Sequence, residues 1–147
     1  MKKNTRINRP VPFLLLLLAA TYCLASLLHF VHNAEYLSAY PNLPPWLSRS
    51  QIYATWLAIT SIGVVGLWLA RGKYPLLGLI LVSAYALLGF DGLGHYAVAP
   101  MSAHTFTMNF TIWAEVGAAA LLLIQALRCI WVHFQNKLRS PAERSGT

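Results

Sequence analysis

Four long apolar stretches dominate this sequence and restrict the folds that are open to it. They cover about residues 12–36, 52–70, 75–98 and 107–133. Each is close to or above the ~20 residues that a helix needs to cross the hydrocarbon core of a bilayer. Of the 147 residues 10% are charged, whereas soluble domains contain roughly 25%. The sequence therefore predicts an all-α membrane protein, a four-helix antiparallel transmembrane bundle forming one domain over 1–136, with a disordered tail at 137–147.

A weak internal similarity connects the two halves of the predicted bundle. Residues 53–56 (YATW) in the second stretch resemble residues 110–113 (FTIW) in the fourth. Two similar hairpins related by duplication would explain this resemblance. Chance similarity between apolar stretches explains it nearly as well, so both interpretations stay open.

Basic residues predict the orientation of the bundle. All of them except Arg49 precede the first stretch, join the second to the third, or lie at and beyond the end of the fourth: Lys2, Lys3, Arg6, Arg9, Arg71, Lys73, Arg128, Lys137, Arg139 and Arg144. Because basic residues accumulate on the cytoplasmic side, both termini are predicted to be cytoplasmic, in an inner membrane of bacterial type. The net charge of +7 then reflects topology, and we predict no nucleic-acid partner.

Ionisable residues are concentrated on the opposite, outer side of the predicted bundle. Four of the five histidines and three of the four acidic residues belong to this group: His29, His32, Glu35, Asp91, His95, His104 and Glu115. Ionisable side chains are costly inside a membrane, and they usually face the protein interior and mark functional sites. Their position at a similar depth, on three different stretches, predicts a shared site.

Helical periodicity places these residues on common faces. In the first stretch one polar stripe includes His29, His32, Asn33 and Tyr36, and Glu35 lies at its edge. In the third, Asp91 and His95 are four residues apart and are therefore neighbours on a helix. In the fourth, Thr111 and Glu115 share a face in the same way. We predict that Asn33, Tyr36 and Thr111 help to bind a ligand or cofactor there.

Imidazoles and carboxylates together predict a metal site. The predicted ligands are His29, His32, Asp91, His95, His104 and Glu115. This set suits zinc, iron, manganese or copper, and it is large enough for two ions. A metal-bound water or an activated oxygen could then hydrolyse or oxidise an apolar substrate, such as a lipid or a quinone-like molecule. Glu115 or Glu35 is the predicted catalytic acid or base.

Three other functions are compatible with the same residues. A metal-free polar network could join the helices of an accessory subunit that binds other membrane subunits. A haem or quinone could be bound, for example with His29 and His95 as haem ligands, although haem does not need the carboxylates. A small transporter could use the acids and histidines as a relay. The apolar character of the cytoplasmic halves of the stretches argues against a transporter.

Overall fold

The computed structural model describes residues 11–142 of the chain, with side chains described for 11–138, and within them it is an all-α bundle. The long helices are α1 (Phe13–Glu35), α2 (Arg49–Arg71), α3 (Pro75–Leu88) and α5 (Phe106–Ala142), with a short α4 (Gly94–Val98) after α3. Single 3₁₀ turns cover Leu37–Ala39, Asp91–Leu93 and Met101–Ala103. The predicted basic segment before the first helix lies outside the described residues, as do residues 143–147.

Four spans in the described chain are long and apolar enough to cross a membrane, which confirms the predicted four-helix bundle. They are Phe13–Glu35, Arg49–Arg71, Pro75–Val98 and Phe106–Leu138. Large apolar side chains cover the outside of the bundle, where they contact the lipid of a bilayer: Leu24, Leu28, Leu57, Ile80, Leu121 and Ile124 are examples. The chain is therefore a multi-pass membrane protein. We call the end with connections 36–48 and 99–105 the upper end, and the opposite end the lower end.

The second helix begins three residues earlier than the hydropathy pattern predicts. Ser48 caps α2, since its hydroxyl accepts a hydrogen bond from the Gln51 backbone N–H, at 3.4 Å. The Gln51 side chain accepts one from the Ser48 backbone N–H in return, at 2.8 Å. This reciprocal pair is a capping box, which fixes the first turn of a helix. As a result Arg49, predicted to lie in a connection, is the first residue of α2.

The third stretch is not the continuous helix predicted for 75–98. Helix α3 ends at Leu88, and the N–H of Gly89 bonds back to the carbonyls of Ala86 and Leu87. A 3₁₀ turn and α4 follow. Glycine disfavours a helix by about 1 kcal/mol relative to alanine, and three of the six residues at 89–94 are glycines. The interruption therefore follows from local composition.

The fourth helix is longer than predicted. Helix α5 continues to Ala142, so the tail predicted to be disordered from 137 is helical as far as its described residues extend. The most extensive packing in the bundle joins α2 to α3, followed by α1 to α5 and α3 to α5. Gly66 and Gly78 permit the α2–α3 contact, since a Cβ on Gly78 would lie 2.5 Å from the Gly66 carbonyl oxygen. Whether the two hairpins arose by duplication stays a prediction.

Candidate functional site

His29 and Glu115 form a buried pair between α1 and α5. Their exposed fractions are 2% and 0%, and His29 Nε2 lies 3.7 Å from Glu115 Oε2. The hydroxyl of Thr111 donates to the carbonyl of Met108 at 3.0 Å, so its oxygen can only accept from His29 Nδ1, which lies 3.4 Å away. With the proton on Nδ1, the lone pair of Nε2 faces the Glu115 carboxyl group.

Rings at the upper end continue from this pair towards the surface. The ring centroids of His29 and His95 are 5.4 Å apart, and those of His95 and His104 are 6.0 Å apart. Tyr40 packs against His95 with centroids separated by 4.9 Å. His29, Asn33, Tyr40, His95, His104, Thr111 and Glu115 therefore form one group, which we call the upper cluster. Three helices, α1, α4 and α5, hold it together with the connections at 36–48 and 99–105.

The hydrogen bonds of the upper cluster fix which ring nitrogens are free. Asn33 Nδ2 lies 3.3 Å from His95 Nε2; an amide nitrogen can only donate, so Nε2 accepts and the proton of His95 is on Nδ1. His104 Nδ1 lies 3.1 Å from the Pro100 carbonyl oxygen, so it donates, and Nε2 is left with a lone pair. Within the described residues, His95 Nδ1, His104 Nε2 and both carboxyl oxygens of Glu115 are buried without a hydrogen-bond partner. The cluster thus offers one unused donor and several unused acceptors.

A small cavity adjoins the cluster, and we call it the deep cavity. Its volume is about 160 Å³, and its lining includes His29, Asn33, Asp91 and His95. Gly92 also lines it, and a Cβ at this position would lie 3.4 Å from Glu115 Oε2 and 3.9 Å from His29 Nε2. The absence of a side chain at Gly92 therefore keeps the approach to the His29–Glu115 pair open.

The other predicted site residues lie at the edge of the upper cluster or at the surface above it. Glu35 is at the upper surface, where it accepts a hydrogen bond from Tyr53 at 2.9 Å and pairs with Arg49 at 3.3 Å. His32 Nδ1 lies 2.9 Å from the Tyr40 hydroxyl, and its ring packs on that of Tyr36 with centroids 4.7 Å apart. These residues form a rim above the upper cluster. Asp91 lines the deep cavity, but it is exposed.

Two residues of the site were missed in the sequence. Tyr40 lies between the first two predicted stretches and was not among the predicted site residues, yet it is 4% exposed and packs against three histidines. Burial raises its pKa to about 12, so the phenol is neutral at ordinary pH. Gly92 was not among the predicted site residues. The signal that could have revealed Tyr40 is its spacing of four from Tyr36, which extends the polar stripe of α1 beyond the helix end.

No further observation adds support for the predicted metal ion. Among residues 11–142, no three His, Cys, Asp or Glu side chains form a group that could hold a metal as they stand. The chain matches no protein-family model, no curated protein and no solved structure in the comparisons made. The metal and the catalytic roles of Glu35 and Glu115 stay predictions.

Proposed function

We propose that this membrane protein binds the polar head group of a neutral amphipathic molecule at the upper cluster. The observation that carries the proposal is the set of buried polar atoms that have no partner among the described residues, next to the deep cavity. An unpaired buried polar atom costs about 1–3 kcal/mol. A ligand that carries a carbonyl or hydroxyl group would satisfy the N–H of His95 or a free acceptor, and would recover that cost.

The His29–Glu115 pair would share a proton with such a ligand. An isolated carboxylate at this depth is disfavoured, because a charge in the low-dielectric interior loses its hydration. One proton, on either Nε2 or the carboxyl group, keeps the pair neutral overall. A ligand oxygen that approaches past Gly92 could accept that proton or donate its own. This arrangement suits binding of a quinone-like or hydroxylated molecule, and it provides an acid and a base for chemistry on the head group.

The depth of the polar groups favours binding from one side over transport. The buried polar residues of α1 extend from its upper end down to Tyr22. Tyr22 lies about 20 Å below Glu35, because an α-helix rises 1.5 Å per residue. Below that level the buried side chains described on α1 and α5 are apolar: Leu15, Ala19, Leu122 and Ala126. The buried Ser83 of α3 bonds to its own helix, at the Leu79 carbonyl. A relay across the bilayer would need polar groups in this lower half.

We also propose that the upper end faces the outside of the cell. Among the described residues, Arg71, Lys73, Arg128 and Lys137 lie towards the lower end, whereas Arg49 lies at the upper end. This asymmetry follows the positive-inside rule and supports the predicted inner-membrane topology. The ligand would then be taken from the outer aqueous phase or the outer leaflet.

A binding assay with defined probes tests the proposal. We expect a short-tailed benzoquinone or a long-chain alcohol to raise the Tm of the purified protein in detergent micelles. At a hundredfold excess over Kd the stabilisation should be about 2.7 kcal/mol. Gly117→Ala is a matched control on α5, because a Cβ there meets no atom of the described residues within 4 Å; it should respond like the wild type. Failure of every carbonyl and hydroxyl probe to shift the folded wild type would refute the proposal.

A metal ion at the same pair is a second candidate. The observation that favours it is the 3.7 Å separation of His29 Nε2 and Glu115 Oε2, since two lone pairs that face each other can bind one cation. His95 is the next imidazole along the cluster. Elemental analysis of protein purified without chelator should then find zinc, iron, manganese or copper at a fixed ratio, and His29→Ala should lose most of it. Folded protein that neither contains nor takes up these metals would exclude this candidate.

A further inference from the structure

Two cavities at the upper end of the bundle are both lined by residues of α1 and α2. The deep cavity reaches up to Asn33 on α1 and Ile52 on α2. A second cavity of about 490 Å³, which we call the upper cavity, begins at Ala34 on α1 and Arg49 on α2. Its remaining wall is the connection between these helices. Leu47, the last apolar residue before α2, lines both cavities, so a single side chain marks the boundary between them.

Tyr40 links the two cavities from the other side. It lines the upper cavity, while its ring packs against that of His95, which lines the deep cavity. Tyr40 and Leu47 therefore lie where the upper cavity meets the upper cluster and the deep cavity.

The lining of the upper cavity indicates the chemistry of an occupant. Both leucine and proline side chains and polar ones line it along the connection, for example Leu43 and Asn42. The charged lining residues Glu35 and Arg49 pair with each other at 3.3 Å. This pairing leaves no net charge to attract an ion. The cavity thus suits the body of a neutral molecule with both apolar and polar groups.

Size supports a ligand that occupies both cavities. Ligand pockets usually enclose about 300–1,000 Å³, and the deep cavity, at about 160 Å³, is too small for more than a head group. The upper cavity, at about 490 Å³, has room for the body of such a molecule.

We propose that the two cavities form one binding site, which is entered from the upper surface past Leu47. The head group of the ligand lies against His29, Asn33 and His95. Its neutral body lies under the connection at residues 37–47. This inference rests on the proposed function for the identity of the ligand, but the route itself can be tested without any ligand.

The route is tested by the reactivity of a cysteine placed in the deep cavity. In a full-length background with Cys23 and Cys129 replaced by alanine, Asn33→Cys is exposed to a small, water-soluble methanethiosulfonate in detergent micelles. We expect Leu47→Trp to slow the modification about tenfold, which corresponds to about 1.4 kcal/mol in the barrier, and Leu47→Ala to accelerate it. Trp46→Ala is the matched control, since Trp46 is 70% exposed and belongs to neither lining.

The outcomes separate the route from the ligand. If the modification rate is the same in the Leu47→Trp, Leu47→Ala and control proteins, the continuous site is wrong whatever the ligand. If the rate follows residue 47 but no benzoquinone or alcohol probe shifts the Tm, the route stands and the proposed function fails. If the modification rate follows residue 47 and a probe also shifts the Tm of the wild type, Leu47→Trp should abolish the Tm shift that the probe gives with Trp46→Ala. Should Leu47→Trp not fold as a monodisperse protein, Leu47→Phe provides the smaller obstruction.

Discussion

The His29–Glu115 pair provides the sharpest test of whether the upper cluster exists for binding or for stability. We consider the double variant His29→Leu/Glu115→Leu, which replaces two buried polar side chains with apolar ones of similar volume. Glu115 is fully buried, and its carboxyl oxygens have no hydrogen-bond partner among the residues described. The native pair therefore contributes little to offset the cost of burying it.

The expected magnitude follows from that balance. Replacing a buried ion pair with apolar residues of similar size is often neutral or stabilising by about 1–4 kcal/mol. The double variant loses only one contact in the cluster that qualifies as a hydrogen bond, the 3.4 Å contact of His29 with Thr111, worth about 1 kcal/mol. We therefore expect its free energy of unfolding to equal or exceed that of the wild type. Glu115→Ala, which leaves the space unfilled, should be less stable than the double variant by about 2–5 kcal/mol.

Reversible unfolding in mixed detergent micelles measures these differences, and the probe-induced Tm shift measures binding in the same samples. The double variant should fold at least as well as the wild type and show no shift with the benzoquinone or alcohol probe. A loss of stability of more than about 2 kcal/mol in the double variant would contradict the reasoning. It would mean that the pair joins α1 to α5, as a structural network does, and that binding is not the reason for burying it.

Two further predictions concern the packing and the topology of the bundle. Gly78→Ala would press a methyl group against the backbone of Ala70 on α2, and we expect it to lower the free energy of unfolding by about 1–3 kcal/mol or more. The control Gly117→Ala should be tolerated. Equal stabilities of the two variants would contradict the close α2–α3 contact. In intact cells, cysteines at Ser48 and Ser102 should both react with a membrane-impermeant thiol reagent added outside, and labelling of both only after the cytoplasmic side is opened would reject the proposed orientation.

The helices were predictable from hydropathy because each span needs about 20 apolar residues, a requirement that does not depend on tertiary structure. Their ends were less predictable, since they depend on local hydrogen bonds. The Ser48-x-x-Gln51 box is a sequence signal for the start of α2 that hydropathy alone does not contain. The end of α3 has a comparable signal in the glycines at 89, 92 and 94.

The polar face of α1 was predictable from helical period, but the partners of its residues were not. His29 and Asn33 lie in the cluster, as their position in the stripe indicates. Glu35 lies at the edge of that stripe, and Arg49, fourteen residues away in sequence, reaches it at the surface. A contact of this kind depends on how the connection folds back over the bundle. For the same reason Tyr40, which belongs to that connection, could not be placed against His95 from its spacing alone.

The interruption of the third span explains why a cavity exists at the upper end. Helix α3 ends at Leu88 and α4 has 5 residues, so the upper part of α2 lacks a long helical neighbour on the side that faces the third span. Ile52 and Thr55 of α2 line the deep cavity. A continuous helix would be more stable by about 1 kcal/mol for each glycine replaced by alanine. A side chain at Gly92 would also narrow this space, since a Cβ there approaches both members of the His29–Glu115 pair. The segment that weakens the bundle is thus the one that leaves space beside the buried His29–Glu115 pair, as the proposed binding site requires.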